Sequence, residues 1–321
     1  MKRREVFAPF EYEEAYNYWL KQQNAHWLHT EVSMATDIQD WRFNLSESEK
    51  SVVGNTLKGF TQTEVIINDY WATKITRWFP KPELAMMSSA FSNMETIHMK
   101  AYAYLNESLG LTDFSAFMQE PTAKAKIDNL IETKGNSKAD IAKSLAVFSG
   151  FAEGVQLFSS FAILMNFSRF NKLKGVGQIV AFSVRDESLH SEAGCWLFRK
   201  FIEENPEIWT DELKKEIYDA ARTVVSLEDS FIDRVFELGE IEGLNPQDLK
   251  NYIRARTNTK LNDLGLKNNW KNVDKESVYR ITEWFDFMTV GVQHTDFFAL
   301  RVVDYSKGLI NWDNMYEKEN E

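Results

Sequence analysis

Glu95-Thr96-Ile97-His98 and Glu187-Ser188-Leu189-His190 are the two stretches on which the reading of this chain turns. In a helix, positions i and i+3 share a face, so each stretch aims a carboxylate and an imidazole at one point. Oxygen and imidazole donors together suit iron, manganese or zinc. With 5 histidines in 321 residues, chance supplies about half of one Glu-x-x-His match. Two matches therefore ask for a supporting signal elsewhere in the chain.

Two lone carboxylates supply it. Glu153 lies in Phe148-Ser149-Gly150-Phe151-Ala152-Glu153-Gly154-Val155-Gln156-Leu157-Phe158, inside the most apolar segment of the sequence. Burying an unpaired carboxylate is costly, so Glu153 needs a partner. Glu64, in Thr61-Gln62-Thr63-Glu64-Val65-Ile66-Ile67, sits in a similar apolar run. Glu64 precedes Glu95 by 31 residues and Glu153 precedes Glu187 by 34, which makes two approximate half-sites. Four carboxylates and two neutral imidazoles carry a charge of −4, which two divalent ions would neutralise. A salt-bridge explanation would need facing cations, and Arg185 is the only basic residue immediately beside these glutamates. Two Glu-x-x-His helices plus a lone Glu from each of two others is the ligand pattern of di-metal carboxylate bundles.

Composition narrows the rest. The chain is 44% hydrophobic and 14% aromatic, enough for a real core. Its 37 basic and 48 acidic residues give a net charge of −11, which disfavours nucleic-acid binding. The single Cys195 excludes an internal disulfide framework, a cysteine-based zinc site and dithiol redox chemistry within the chain. The first residues lack the apolar core of a secretion signal. Ser144 to Phe170 is broken by Glu153, Gln156 and serines, so it reads as a buried helix and not a membrane span. A soluble, cytoplasmic protein is expected.

Only 6 prolines and 14 glycines interrupt the sequence, and the stretches between them carry helical periodicity. Helices are expected near 11–24, 83–108, 137–169, 173–203, 209–240, 246–262 and 276–301. Another starts at the capping box Ser46-Glu47-Ser48-Glu49 and continues to about Trp78. The size alone would allow two domains, but ligands from Glu64 to His190 must converge. The expectation is one all-α domain over 1–305, followed by a polar, acidic tail over 306–321.

These segments resemble the small, radical-generating subunit of class I ribonucleotide reductase, from Trp27 to the tail. Glu95-Thr96-Ile97-His98-Met99-Lys100-Ala101-Tyr102 looks like that family's ligand helix, with a tyrosine four residues after the histidine. Val184-Arg185-Asp186-Glu187-Ser188-Leu189-His190 resembles the second ligand helix, and Ala25-His26-Trp27-Leu28-His29-Thr30-Glu31-Val32 resembles the segment with the family's tryptophan. The resemblance implies a ferritin-like helical bundle and a homodimer. Glu64, Glu95 and His98 would bind one metal, and Glu153, Glu187 and His190 the other, with some carboxylates bridging. Tyr102 would hold a radical in an apolar pocket such as Leu157 and Phe161 could supply. His98, Asp186 and Trp27 would begin a proton-coupled electron path, with Tyr316 in the tail as the relay to a large subunit. Ribose reduction consumes two electrons from paired thiols in this enzyme class, and Cys195 alone cannot supply them. The ribonucleotide site must then lie on that large subunit, docked through the tail.

The sequence departs from the pattern at Glu64, where much of the family has Asp, and at Ser183, where an apolar residue is common. Both leave the dinuclear cofactor open between two Fe, Mn/Fe and two Mn, with a flavoprotein activase possible. The alternatives are a related ligand-binding di-metal oxidase or a fatty-acyl desaturase on the same scaffold, and an iron-storing bundle protein. The related oxidases place a tyrosine where this chain has Phe148.

Overall fold

The computed structural model describes residues 2–117, 121–131 and 135–289. Among these no strand occurs, and the only sheet-like pairing is an isolated bridge between Ile241 and Leu244. The long helices are α1 Glu13–Asn24, α2 Glu47–Asp69, α3 Pro82–Leu109, α4 Pro121–Ile131, α5 Lys138–Arg169, α6 Lys174–Glu204, α7 Asp211–Val235 and α8 Pro246–Asp263. A further helix covers 275–289; the rest of the expected 276–301 helix, and the tail with Tyr316, lie outside the described residues.

Local chemistry sets several of these ends. Ser46 caps α2 by accepting from the Glu49 amide at 3.2 Å, while Glu49 accepts from the Ser46 amide at 2.8 Å, the reciprocal box read from the sequence. Ser137 and Asp140 form the same device at the start of α5. Pro82 occupies the first position of α3, where its missing N–H costs nothing. That helix stops at Gly110, whose φ of 78° a residue with a side chain would resist.

The α6 start is built differently. Leu173 precedes it at a φ of 49°, and the helix amides are capped by a carboxylate from far away in sequence. Asp37, fully buried, accepts from Gly175 N at 3.0 Å and Val176 N at 2.8 Å.

Two helices change register where the site lies. After Asp69, the α2 path runs through a π-helical stretch, Tyr70–Ile75, before a last turn at Thr76–Trp78. Within α5, Ala146–Gln156 is π-helical and every residue of it is buried. Such stretches bond i to i+5, widen the helix and concentrate at functional sites. As a whole α5 is long and apolar enough to cross a membrane, but its apolar window lies entirely inside the protein as a core helix. The helix α2 packs along α3, and α6 along α5. One contiguous hydrophobic core runs from Ala15 to Phe285 around these four helices.

Candidate metal centre

Each of the four central helices sends ligand-type side chains to the same buried point. Glu64 comes from α2, Glu95 and His98 from α3, Glu153 from the π-helical part of α5, and Glu187 and His190 from α6. All six are fully buried. They form two overlapping sets in which the ligand atoms lie within 4.8 Å of one another: Glu64, Glu95, His98 and Glu187, then Glu95, Glu153, Glu187 and His190. Glu95 and Glu187 belong to both, so each half of the chain lends one carboxylate to the other's set.

The ligand-type groups crowd one another, and His98 Nδ1 shares a hydrogen bond with Glu95 Oε2 at 3.2 Å. His190 Nδ1 is 2.8 Å from Glu95 Oε1, and His98 Nδ1 is 2.9 Å from Glu187 Oε1. Even so, His190 Nδ1, Glu95 Oε1 and both Glu187 oxygens make no hydrogen bond, and neither do both oxygens of Glu64 and Oε2 of Glu153. A buried polar atom without a partner is rare, and a cluster of them needs an explanation. Cations held by these side chains would give the orphaned atoms partners. The donor set of carboxylates and imidazoles therefore fits a dinuclear centre.

The outer ring nitrogens are held in place for that role. His98 Nε2 lies 3.2 Å from Asp186 Oδ2, and His190 Nε2 lies 2.9 Å from Gln22 Oε1. Both partners can accept, so with metal bound each Nε2 would keep its proton and each Nδ1 would be free to serve as a ligand. Asp186 also accepts from Trp27 Nε1 at 2.7 Å, Gln22 Nε2 at 3.3 Å and Arg185 Nε at 3.2 Å. Arg185 further donates to the Ala25 carbonyl at 2.5 Å.

Without cations, the cluster is electrostatically uncomfortable. Burial, then repulsion from Glu187 and Glu95, pushes the Glu64 and Glu153 carboxyls well above their ordinary range. Burial and the nearby Glu95 raise Glu187 as well. Burial disfavours ionising Glu95 too, but His190 and His98 overcome it and hold Glu95 low. Burial alone would lower His98; Tyr102 and the carboxylates of Asp186, Glu187 and Glu95 instead raise it. Asp186 is kept low against burial by His98, Arg185 and Trp27.

Tyr102 is fully buried next to this cluster, its ring 6.0 Å from that of His98. Its hydroxyl makes no hydrogen bond of good geometry. The ring stacks on Phe60 at 4.6 Å, and Phe60 stacks on Phe161 at 5.3 Å, so phenylalanines make the wall. Burial, outweighing the lowering influence of His98, drives its pKa well above the usual phenol value; Glu64 and Glu187 add to the rise.

The family model for the ribonucleotide reductase small chain matches residues 4–277. The chain belongs to that family. It is 34% identical to a probable ribonucleoside-diphosphate reductase small subunit of Invertebrate iridescent virus 6, over 99% of both chains. Identity to the ribonucleoside-diphosphate reductase subunit beta of Chlamydia pneumoniae is 28%, over 95% of this chain and 91% of that one. In fold it is similar to the dimanganese(II) NrdF protein of Streptococcus sanguinis, with a TM-score of 0.75, 21% identity, and coverage of 88% of this chain and 100% of that one. A putative class I ribonucleotide reductase from Bacillus halodurans superposes at a TM-score of 0.79, 21% identical over 85% and 99% of the two chains. The protein is thus a small subunit of ribonucleoside-diphosphate reductase, an oxidoreductase that works with a large subunit, and it has the ferritin-like helical bundle of that family.

For this small chain, the structure brings together every ligand-type residue picked out of the sequence, and it joins Trp27 and Asp186 to His98. It also adds two residues that sequence reasoning missed. Gln22 ties His190 to Asp186, so both imidazoles share one polar network. Trp71 donates its indole N–H to Glu153 Oε1 at 2.5 Å, where the two π-helical stretches meet. The signal for Trp71 was its place two helical turns after Glu64 on the same face. Gln22 carried no local signal. Gly154, beside Glu153, is needed because a Cβ there would stand 2.6 Å from Ser191 Oγ and 2.9 Å from Lys260 Cδ.

Proposed function

We propose that Glu64, Glu95, His98 and Glu187 hold one metal ion and Glu95, Glu153, Glu187 and His190 the other, with Glu95 and Glu187 shared. The observation that carries this assignment is the pair of overlapping buried sets and the unpartnered atoms within them. When bound, the metal pair supplies one-electron oxidation driven by an oxygen species. Iron, manganese and a mixed pair all suit the donors, and a flavoprotein could assist activation.

The residues around the pair have distinct tasks. Tyr102 keeps its phenol proton at Oη until it is oxidised, and the Phe60 and Phe161 rings keep water and reductants from it. Asp186 holds the Nε2 proton of His98 on one side and the indole proton of Trp27 on the other, which gives a continuous route for a coupled proton and electron. We assign the outward end of that route to Tyr316 in the tail, which would dock on the large subunit. Residues 1–305 would form one helical domain, two copies would pair as a homodimer, and the enzyme would work in the cytoplasm.

The test is metal quantitation with electron paramagnetic resonance on protein purified from its native host, beside a Glu153→Ala variant. About two transition-metal ions per chain are expected, with a clear drop in the variant. No stoichiometric metal, or unchanged content in Glu153→Ala, would overturn the assignment.

A further inference from the structure

The backbone that carries Glu153 is held by two cations that belong to neither ligand set. Arg256 on α8 donates from Nε to the Gly154 carbonyl at 2.5 Å, and its guanidinium lies over the Phe158 ring, 3.1 Å from the centroid. Lys126 on α4 donates from Nζ to the Gln156 carbonyl at 3.0 Å. The same ammonium pairs with the buried Glu228 at 2.5 Å, and Glu228 in turn accepts from Ser159 Oγ. Gly154 and Gln156 follow Glu153 by one and three residues, so both contacts sit on the turn that aims the carboxylate.

A shortage of one amide explains why the Gln156 carbonyl recruits a side chain. A helix that returns from i→i+5 to i→i+4 bonding has one N–H fewer than it has carbonyls to serve. The return occurs here: the Phe161 amide bonds the Leu157 carbonyl at 2.9 Å, in the α register. A carbonyl just before Leu157 is left short of a donor, and Lys126 supplies one to Gln156. In the absence of such donors, the stretch would satisfy its carbonyls by relaxing to α-helix. Each residue of a helix turns by about 100°, so a one-residue change of register would swing Glu153 off the centre.

We propose that Arg256 and Lys126 are positioning residues: by serving the Gly154 and Gln156 carbonyls, they lock the π register that points Glu153 at the second metal position. The inference rests on the ligand assignment proposed above. Neither residue touches a ligand-type side chain in the contacts described, and both act through the backbone.

The test titrates Mn(II) into metal-free, full-length protein. The bound ions are followed by electron paramagnetic resonance, which separates isolated from exchange-coupled manganese, and helicity by circular dichroism. Arg256→Met and Lys126→Met keep the apolar stem and remove the N–H donors. Each should weaken the second ion by about 10–100-fold, the usual effect of losing a residue that orients a ligand. The first ion should change by less than about threefold, since Glu64, Glu95, His98 and Glu187 remain. The coupled signal should give way to that of isolated manganese. Arg256→Lys, which can still donate, should recover part of the loss. Because Lys126→Met strands the buried Glu228, Lys126→Met/Glu228→Gln is the companion variant that keeps the fold testable. Wild-type affinity for both ions in all variants would overturn the proposal, and so would an equal loss at both positions. Failure of the wild-type chain itself to take up Mn(II) would instead overturn the ligand assignment beneath it.

Discussion

Tyr102 keeps a fully buried hydroxyl that makes no hydrogen bond of good geometry, with the Ser183 side chain as a weak polar influence. Folding gains nothing from such a group, since the lost hydration is not repaid by a hydrogen bond. Tyr102→Phe should therefore leave the stability of the metal-free protein within about 0.5 kcal/mol of wild type, or raise it, in urea denaturation. A loss above about 2 kcal/mol would mean that the hydroxyl has a structural partner after all. Tyr102 was legible in the sequence because one helical turn separates it from His98. Gln22 was not, and Trp71 was marked only by its spacing from Glu64, for a physical reason. Their contacts to Glu153 and His190 span 82 and 168 residues, and only the folded packing of different helices brings them together.

Helix ends show the same division. The α2 start was readable since Ser46 and Glu49 satisfy each other within one turn, and the extents of α3, α5, α6 and α8 follow from periodicity and turn residues. The π-helical stretches were invisible. An extra residue per turn has no composition of its own, and here its cost is met by Arg256 and Lys126 from other helices. Helix α4 was also missed, although Pro121 stands at its first position. At the start of α6, the cap comes from Asp37, 138 and 139 residues away from its two amide partners. Asp37→Ala would leave two buried amides unserved and should cost about 2–3 kcal/mol, measured by chemical denaturation of metal-free protein. Asp37→Asn, which keeps one acceptor oxygen, should lose less. Equal stability of all three proteins would show that the amides find other partners.

At the scale of the whole molecule, the N-terminal segment is fastened to the bundle by Glu83. That carboxylate accepts from Arg4 Nη2 at 2.6 Å, from the Glu11 amide at 2.9 Å and from the Tyr12 amide at 3.2 Å. Burial works to raise its pKa, but its own amide, those of Glu11 and Tyr12, and Arg4 more than offset it and hold it below the ordinary 4.5. Its contribution is therefore complete above the unfolded value and is lost as pH falls through the lower folded one. Hydrogen exchange at the Glu11 and Tyr12 amides of metal-free protein should accelerate below the usual carboxylate range. Glu83→Gln should exchange faster at neutral pH and lose that acid step. An acid step that persists in Glu83→Gln would point to a different group. At the other end of the chain, removing the residues after Tyr305 should abolish activity with the large subunit while metal content stays at wild-type level. Full activity of the truncated protein would discard the tail as a docking element.

The sharing of Glu95 and Glu187 also dictates an order of events in the life of the chain. On the ligand assignment above, neither α2–α3 nor α5–α6 holds a complete ligand set, so a nascent or half-folded chain offers no competent nest for an ion. Unlike a zinc finger, which folds around its metal, the chain would then be loaded only once its four central helices have packed together. Selection between iron and manganese would then act on a finished container, through whichever ion and oxidant reach it.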